Sequence, residues 1–186
     1  MKRSALFQLH QRSGAVLGEY YGWAMPASFE TPEAEAAAVR ASAGLADVSY
    51  RAKFDGKSAP ERNGWMLGAR HYLTTGYPPL EAPPGATEVT SVYANLLLAG
   101  PKSRAVLGKL TSLRVSDDRL PNGACAQTSL AHVHAILLRE DLPQTAAYHV
   151  LISREYAESV WEAMLHAGHE YHLRPFGWKA LELLKA

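Results

Sequence analysis

The sequence has 186 residues, of which 47% are hydrophobic and 20% are charged. That length and composition predict one globular domain over residues 1–186 with a buried core. The formal net charge of +1 argues against a nucleic-acid or anionic-membrane partner, and no apolar run approaches the roughly 18 residues that span a bilayer. The single cysteine, Cys125, excludes an internal disulfide and is typical of a reducing compartment, so we predict a soluble, cytoplasmic protein.

The first predicted helix begins at Thr31, which is followed by Pro32 and two glutamates. Threonine caps free amides at a helix start, proline loses no needed donor there, and acidic side chains oppose the positive helix end. Val39 belongs to the apolar face of this helix, and Gly44 is expected to end it in a left-handed conformation. A strand is then predicted over residues 45–54, where apolar and polar side chains alternate imperfectly.

The pattern weakens between residues 55 and 90. A short element is predicted over 63–72, and its periodicity leaves helix and strand open. Residues 73–88 contain Pro78, Pro79, Pro83 and Pro84. Because proline donates no backbone hydrogen bond and fixes φ, we expect an irregular loop on the surface.

The second half of the chain predicts alternating strands and helices. Strands rest on short apolar runs, and helices on caps and apolar faces. The predicted elements are a strand over 93–98, a helix over 102–110, a turn over 121–123, adjacent strands over 124–130 and 132–139, a strand over 147–152, and a helix over 154–167 capped by Ser153 and ended by Gly168. This order predicts an α+β fold with mixed or antiparallel sheets and packed helices.

Histidines supply the only patterns that suggest a metal. His132 and His134 are two residues apart on a predicted strand and would share a face, as metal ligands can. No acidic residue completes that set, so a half-exposed sheet face is the preferred interpretation, and a metal-binding protein is the minor one. Cys125 lacks a cationic neighbour in the sequence, which favours a buried, inert thiol. We assign no metal ligand and no catalytic residue.

Three blocks of sequence carry a family resemblance. They are GWAMP at 22–26 with the run 38–49 that ends in ADVS, LLLAGPKSRAVLGKL at 96–110, and RPFGWKALELLK at 174–185. In this order they resemble the glycine-cleavage aminomethyltransferases and the related sarcosine oxidase subunits. The run LPNGACAQT at 120–128 is most similar to the small gamma-type subunit of heteromeric sarcosine oxidases.

The resemblance implies an α+β folate-binding domain without the second domain of the full-length enzymes. It also implies a protein that binds tetrahydrofolate and handles one-carbon, aminomethyl units from a small amine-derived donor. The cofactor-binding residues would then be Trp23, Met25, Tyr50, Arg51 and Glu182, with Glu182 as the nearest substitute for the carboxylate that binds the pterin.

The sequence departs from this family where the family does its chemistry. The Asn-x-x-Gly-Gly-x-x-x-Asp-Asp block has no counterpart, and the acidic residues between 57 and 90 are Glu61, Glu81 and Glu88. Tyr50 stands where the family usually has histidine, and residues 140–144 replace the loop with the folate-contacting tyrosine. Enzyme activity is therefore left open. The alternative is a non-catalytic, gamma-type subunit that assembles with a partner chain in a sarcosine or amine oxidase.

Overall fold

A computed structural model of the chain describes residues 1–60 and 63–186. Within these residues the α-helices are α1 (Phe7–Arg12), α2 (Pro32–Ala41), α3 (Ser103–Leu107), α4 (Ala157–Ala167) and α5 (Trp178–Lys185). The strands of the same residues are β1 (Lys2–Arg3), β2 (Val16–Tyr20), β3 (Trp23–Ser28), β4 (Gly44–Asp47), β5 (Ala52–Gly56), β6 (Gly64–Gly68), β7 (His71–Gly76), β8 (Thr87–Glu88), β9 (Tyr93–Ala99), β10 (Cys125–Leu130), β11 (Val133–Arg139), β12 (Ala147–Ser153) and β13 (Arg174–Pro175). None of the described helices is long and apolar enough to span a membrane.

The described strands form sheets of six, four and three strands. The six-stranded sheet has the order β10-β11-β12-β9-β4-β13, and its neighbours are antiparallel except for β13, which runs parallel to β4. The smaller sheets have the orders β6-β7-β5-β8 and β1-β3-β2. Mixed and antiparallel sheets with packed helices confirm the predicted α+β fold class.

The six-stranded sheet lies between two apolar layers. On one side, Leu96 and Leu98 of β9 and Val150 of β12 belong to a buried cluster that includes Trp161 of α4. On the other side, Leu97 packs in a cluster with side chains of β3, α2 and α5. Each fully buried leucine contributes about 1.5 to 3 kcal/mol, so this double burial stabilises the central strands most. It also explains why β9 is an apolar run rather than an alternating one.

The predicted cap of α2 is confirmed, because Oγ1 of Thr31 accepts from the Ala34 amide at 3.3 Å. Two other predictions for the first half are wrong. Gly44 does not end α2 in a left-handed turn; it is the first residue of β4, where an added Cβ would lie 2.4 Å from Cγ2 of Val39. Close packing, rather than backbone freedom, therefore requires glycine. The single strand predicted over 45–54 is broken by a turn at 48–51, which separates β4 from β5.

The stretch with the weakest pattern is more regular than predicted. Residues 63–72 contain β6 and the start of β7, so the strand interpretation is confirmed. The irregular loop expected over 73–88 is shorter, because β7 continues to Gly76 and β8 begins at Thr87. Glu61 lies outside the described residues.

In the second half, strand positions agree with the predictions and helix bounds differ. The helix predicted over 154–167 begins with a 3₁₀ turn at Arg154–Tyr156, Ser153 makes no capping bond, and Gly168 ends α4. The helix predicted over 102–110 is limited to α3. His132 lies in the turn before β11 with a φ of 67°, so it does not share a strand face with His134. Among residues 1–60 and 63–186, no group of three or more His, Cys, Asp or Glu side chains could hold a metal ion.

Candidate functional site

A cleft of 270 Å³ opens beside the turn at 48–51. Its walls come from that turn, from the segment after β7, from the connection between β11 and β12, and from the end of α5. The side chains that line it are Arg51, Tyr77, Leu97, Glu140, Asp141, Leu142, Pro143, His149 and Lys185. We name it the Arg51 cleft. It combines apolar, aromatic and charged side chains, as small-molecule sites do.

An ionic network forms one wall of the Arg51 cleft. Nη2 of Arg51 donates to Oε2 of Glu140 at 2.7 Å, and Nε2 of His149 lies 3.3 Å from the same oxygen. Nδ1 of His149 lies 3.1 Å from Oδ1 of Asn95. Arg51 and His149 are buried, whereas 44% of the Glu140 side chain is exposed. Glu140 is thus the member of the network that a ligand can reach.

The network sets the charges in the cleft at neutral pH. Burial alone would raise the pKa of Glu140, but His149 and Arg51 lower it to about 2. Burial and the neighbouring Arg51 charge lower the pKa of His149 to about 4, although Glu140 raises it. Glu140 is therefore a carboxylate and His149 a neutral imidazole. A neutral ring donates through one nitrogen only, and Oε2 of Glu140 and Oδ1 of Asn95 are both acceptors, so His149 can donate to one of these two oxygens at a time.

An aromatic side chain, Tyr77, lines the cleft next to Arg51. The ring of Tyr77 lies 4.8 Å from the Arg51 guanidinium and 3.9 Å from Nζ of Lys185, measured to the ring centroid. Both distances are within the range of cation–π contacts. Behind Tyr77 lies Tyr50, at 6.1 Å between ring centroids, and burial raises the pKa of the Tyr50 hydroxyl. The cleft therefore offers an aromatic ring between two cationic side chains.

Three of the five predicted cofactor-binding residues lie near this cleft. Tyr50 and Arg51 are on the turn beside it. Glu182 is on α5 outside the lining, where it accepts from Nζ of Lys185 at 2.9 Å and from the Tyr20 hydroxyl. Trp23 and Met25 are on β3 and are buried in the core cluster that also contains Tyr50. The role of all five in cofactor binding stays a prediction.

Sequence reasoning missed Glu140, His149, Tyr77 and Lys185 as site residues. Two signals were available: His149 is a titratable residue inside the apolar strand β12, and Glu140 follows directly after the buried strand β11. Neither signal gives the pairing, since Arg51 and Glu140 are 89 residues apart in the chain.

The turn at 48–51 is fixed from inside by a second buried group. Oδ1 of Asp47 accepts from the amide and the hydroxyl of Ser49 at 3.0 and 2.6 Å. Oδ2 of Asp47 lies 3.1 Å from Nε2 of His10 in α1, and both side chains are almost completely buried. Burial would raise the pKa of Asp47, but the bonds to His10 and Ser49 hold it below its usual value. This carboxylate belongs to the ADVS run, and it positions the backbone that carries Tyr50 and Arg51.

Comparison with protein families identifies a related group. The model of the GCVT N-terminal domain matches residues 72–186. The aminomethyltransferase of Desulforamulus reducens is 25% identical over a gapped alignment of 232 residues. The alignment covers all of this chain and 63% of that protein. The sarcosine oxidase subunit alpha of Rhizobium meliloti is 31% identical over 99 residues, or 52% of this chain and 10% of that subunit. The chain thus spans less than two thirds of the aminomethyltransferases it matches.

Solved structures share the fold. The glycine cleavage system aminomethyltransferase T of Bartonella henselae superimposes with a TM-score of 0.75 at 16% identity, covering 99% of this chain and 62% of that one. A chain of the heterotetrameric sarcosine oxidase of Corynebacterium sp. U-96 gives a TM-score of 0.63 at 15% identity, covering 91% of this chain and 96% of that one. These matches show a shared fold, and the predicted family resemblance is confirmed by the family model and the aligned relatives.

Proposed function

Because the chain belongs to the family of GCVT N-terminal domains, we propose that its Arg51 cleft binds a tetrahydrofolate-type one-carbon carrier. In this proposal the chain handles aminomethyl-derived units from a small amine donor. The observation that supports the proposal is the carboxylate of Glu140, which is held ionised between two buried side chains at the wall of a cleft with an aromatic face.

The chemistry of a reduced pterin matches these residues. Its flat ring carries N–H donors along one edge, and a carboxylate is the natural acceptor for them. The salt bridge from Arg51 fixes the orientation of the Glu140 carboxylate before any ligand arrives, which reduces the cost of binding. Leu142 and Pro143 of the cleft lining provide apolar surface for the ring, and Lys185 provides a cation for the carboxylates of the tail.

The size of the cleft bears on how much of the ligand it holds. Its 270 Å³ lies just below the range of about 300–1,000 Å³ typical of small-molecule sites. We expect the ring to be enclosed and the tail to remain near solvent. The carrier, when bound, supplies the nitrogen that accepts the one-carbon unit. The chain's part in this proposal is electrostatic: the Glu140 carboxylate would stabilise positive charge on a ring bound in the cleft.

Calorimetric titration with tetrahydrofolate in reducing buffer tests this proposal. We expect saturable binding to the unaltered protein and at least tenfold weaker binding to Glu140→Gln, since the amide can no longer accept two charge-assisted bonds. The Glu182→Gln variant tests the second carboxylate in the same titration. Unchanged affinity for tetrahydrofolate would show that Glu182 is not part of the site. Asp118→Asn, at an exposed residue outside the cleft lining, is the matched control. No binding at millimolar ligand would contradict the proposal.

A second candidate is a non-catalytic, gamma-type subunit of a heteromeric sarcosine or amine oxidase. It is favoured by the match to 96% of one chain of a heterotetramer, whereas only 62% of the aminomethyltransferase chain is covered. Exposed apolar side chains such as Tyr21 and Leu183 would then contact a partner chain. Purification from the source organism, followed by size-exclusion chromatography with light scattering, tests it. A larger complex that oxidises sarcosine or a related amine is the expected result, and a chain that elutes alone contradicts it.

A further inference from the structure

Lys53 is a buried ammonium group outside the lining of the Arg51 cleft. It is the second residue of β5, and none of its surface is exposed. Its Nζ donates to the backbone carbonyl oxygens of Ser49 at 2.9 Å, Arg51 at 2.8 Å and Thr90 at 3.3 Å. Lysine is almost never fully buried unless it is paired. Here the partners are carbonyl groups, and two of them belong to the turn that carries Tyr50 and Arg51.

The number of donors makes this arrangement sensitive to protonation. An ammonium group has three N–H donors, and the three carbonyl oxygens use all of them. A neutral amine has only two N–H donors and one lone pair. After loss of the proton, one carbonyl oxygen loses its donor and faces the lone pair instead. A buried carbonyl without a donor is costly, so the backbone around Nζ has to adjust.

We propose that Lys53 is a pH-sensitive clamp, in which the ammonium group holds the 48–51 turn against Thr90 and loss of its proton releases that turn. The strand itself stays in place, because the Lys53 amide donates to Oγ1 of Thr90 at 3.0 Å and the Val89 amide donates to the Lys53 carbonyl at 2.8 Å. The Asp47 bonds to the Ser49 amide and hydroxyl also remain, so the release is confined to the Arg51 end of the turn. Since Arg51 orients Glu140, Lys53 is a positioning residue for the wall of the Arg51 cleft.

The charged groups around Lys53 put the transition near neutral pH. Burial, the largest effect, lowers the pKa of Lys53; Asp47 of β4 opposes this and Arg51 of the turn adds to it, giving a pKa of about 7. His149 of β12 also interacts with the Lys53 charge, but it is neutral above a pKa of about 4. The clamp is therefore closed in mildly acidic solution and opens as the pH rises through about 7.

NMR titration of the whole protein tests the clamp without any ligand, so its failure and that of the proposed function are distinguishable. The Cε resonance of Lys53 is followed from pH 5.5 to 9.5 together with the amides of Ser49, Arg51 and Thr90. We expect one midpoint near pH 7 for all four signals. The Arg51 amide donates to the Val48 carbonyl at 3.0 Å, and its hydrogen exchange, corrected for pH, should rise about fivefold above the midpoint.

Two variants make the test specific. Lys53→Met removes the charge with a side chain only one atom shorter, and the pH dependence of the turn amides should disappear. Lys57→Met, at an exposed lysine of the segment after β5, is the matched control and should leave the titration unchanged. The proposal is overturned if Lys53 titrates near the value of about 10.4 for free lysine, or if the turn amides do not follow its titration. The unaltered protein decides between these results even if Lys53→Met does not fold.

Discussion

The two ends of the turn at 48–51 are held by carboxylates, Asp47 and Glu140, that differ in their access to solvent. On the inner side, His10 and Asp47 have side chains that are 1% and 0% exposed. On the outer side, Arg51 is 4% exposed but its partner Glu140 is 44% exposed. We call His10 and Asp47 the sealed pair, and Arg51 and Glu140 the open pair. The same turn thus connects the sealed pair to the open pair.

The difference has a physical consequence for function. A buried carboxylate that loses its partners finds no water to replace them, so the sealed pair stabilises the fold and is not available to a ligand. The carboxylate of Glu140 keeps part of its hydration and can exchange water for the donors of a ligand. A protein that needs a fixed but accessible carboxylate is served by this arrangement, because the sealed pair fixes the backbone from which the open pair is built.

The largest expected effect comes from breaking the sealed pair. Asp47→Asn removes the charge that His10 and the Ser49 amide and hydroxyl contact. We expect a loss of about 2 to 4 kcal/mol in the free energy of unfolding, measured by urea denaturation. Asp118→Asn at an exposed position is the control. A loss below about 1 kcal/mol would show that the pair is not the stabilising group we infer.

Between pH 7 and 9.5, Lys53 should make the free energy of unfolding increase with pH. Its pKa is about 7 in the folded chain, against about 10.4 when unfolded, so between these values the unfolded chain binds more protons and stability rises with pH. We expect a gain of roughly 1 to 4 kcal/mol from pH 7 to 9.5 by urea denaturation, absent in Lys53→Met. Above pH 10 the trend reverses, because the raised pKa values of Tyr20 and Tyr50 favour the unfolded, ionised form. A stability that is flat over this window in the unaltered protein contradicts the assignment.

Mild acid should lower the stability of the protein through His149, which contacts Glu140. His149 has a pKa of about 4 in the folded chain and about 6.5 when unfolded, so the unfolded chain binds more protons between these values and stability falls as the pH drops. We expect a loss of roughly 1 to 3 kcal/mol between pH 6.5 and 4. Comparison of the unaltered protein with His149→Gln by thermal unfolding over this range measures it. Parallel curves for the two proteins would exclude His149 as the cause.

The smallest expected change in stability is for Glu140→Gln. The glutamine still offers an oxygen to Arg51, and water reaches much of the side chain, so the loss should be about 1 kcal/mol or less. The same substitution is expected to have the largest effect on ligand binding. A strong loss of stability in this variant would remove the contrast between the sealed pair and the open pair.

The sequence predicted most of the elements that local rules govern. Thr31 starts α2 as a cap, and the apolar runs at 93–98 and 147–152 form the central strands β9 and β12. The three sequence blocks predicted the family, and the order of elements predicted the α+β class. Caps, turns and apolar periodicity act over a few residues, so they are readable without the fold.

Tertiary contacts decided what local rules could not. Residues 45–54 have the composition of one strand, but partners from distant parts of the chain hold a turn within it. His10 contacts Asp47, the Asn95 amide donates to Oγ of Ser49, and Lys53 donates to the Thr90 carbonyl. Likewise, Gly44 is required by Val39 and Phe176, which approach it only after α2 and the chain end have packed.

The site has the same origin. The register of β11 and β12 places Leu138 opposite His149, and the β9–β12 register places Leu97 opposite it on the other side. Only these pairings bring His149 to Glu140 and both to Arg51. Local sequence was therefore enough to predict most helices and strands and the family, since these are encoded in short runs of neighbouring residues. Contacts between distant parts of the chain produce the broken strand, the buried ammonium group and the accessible carboxylate.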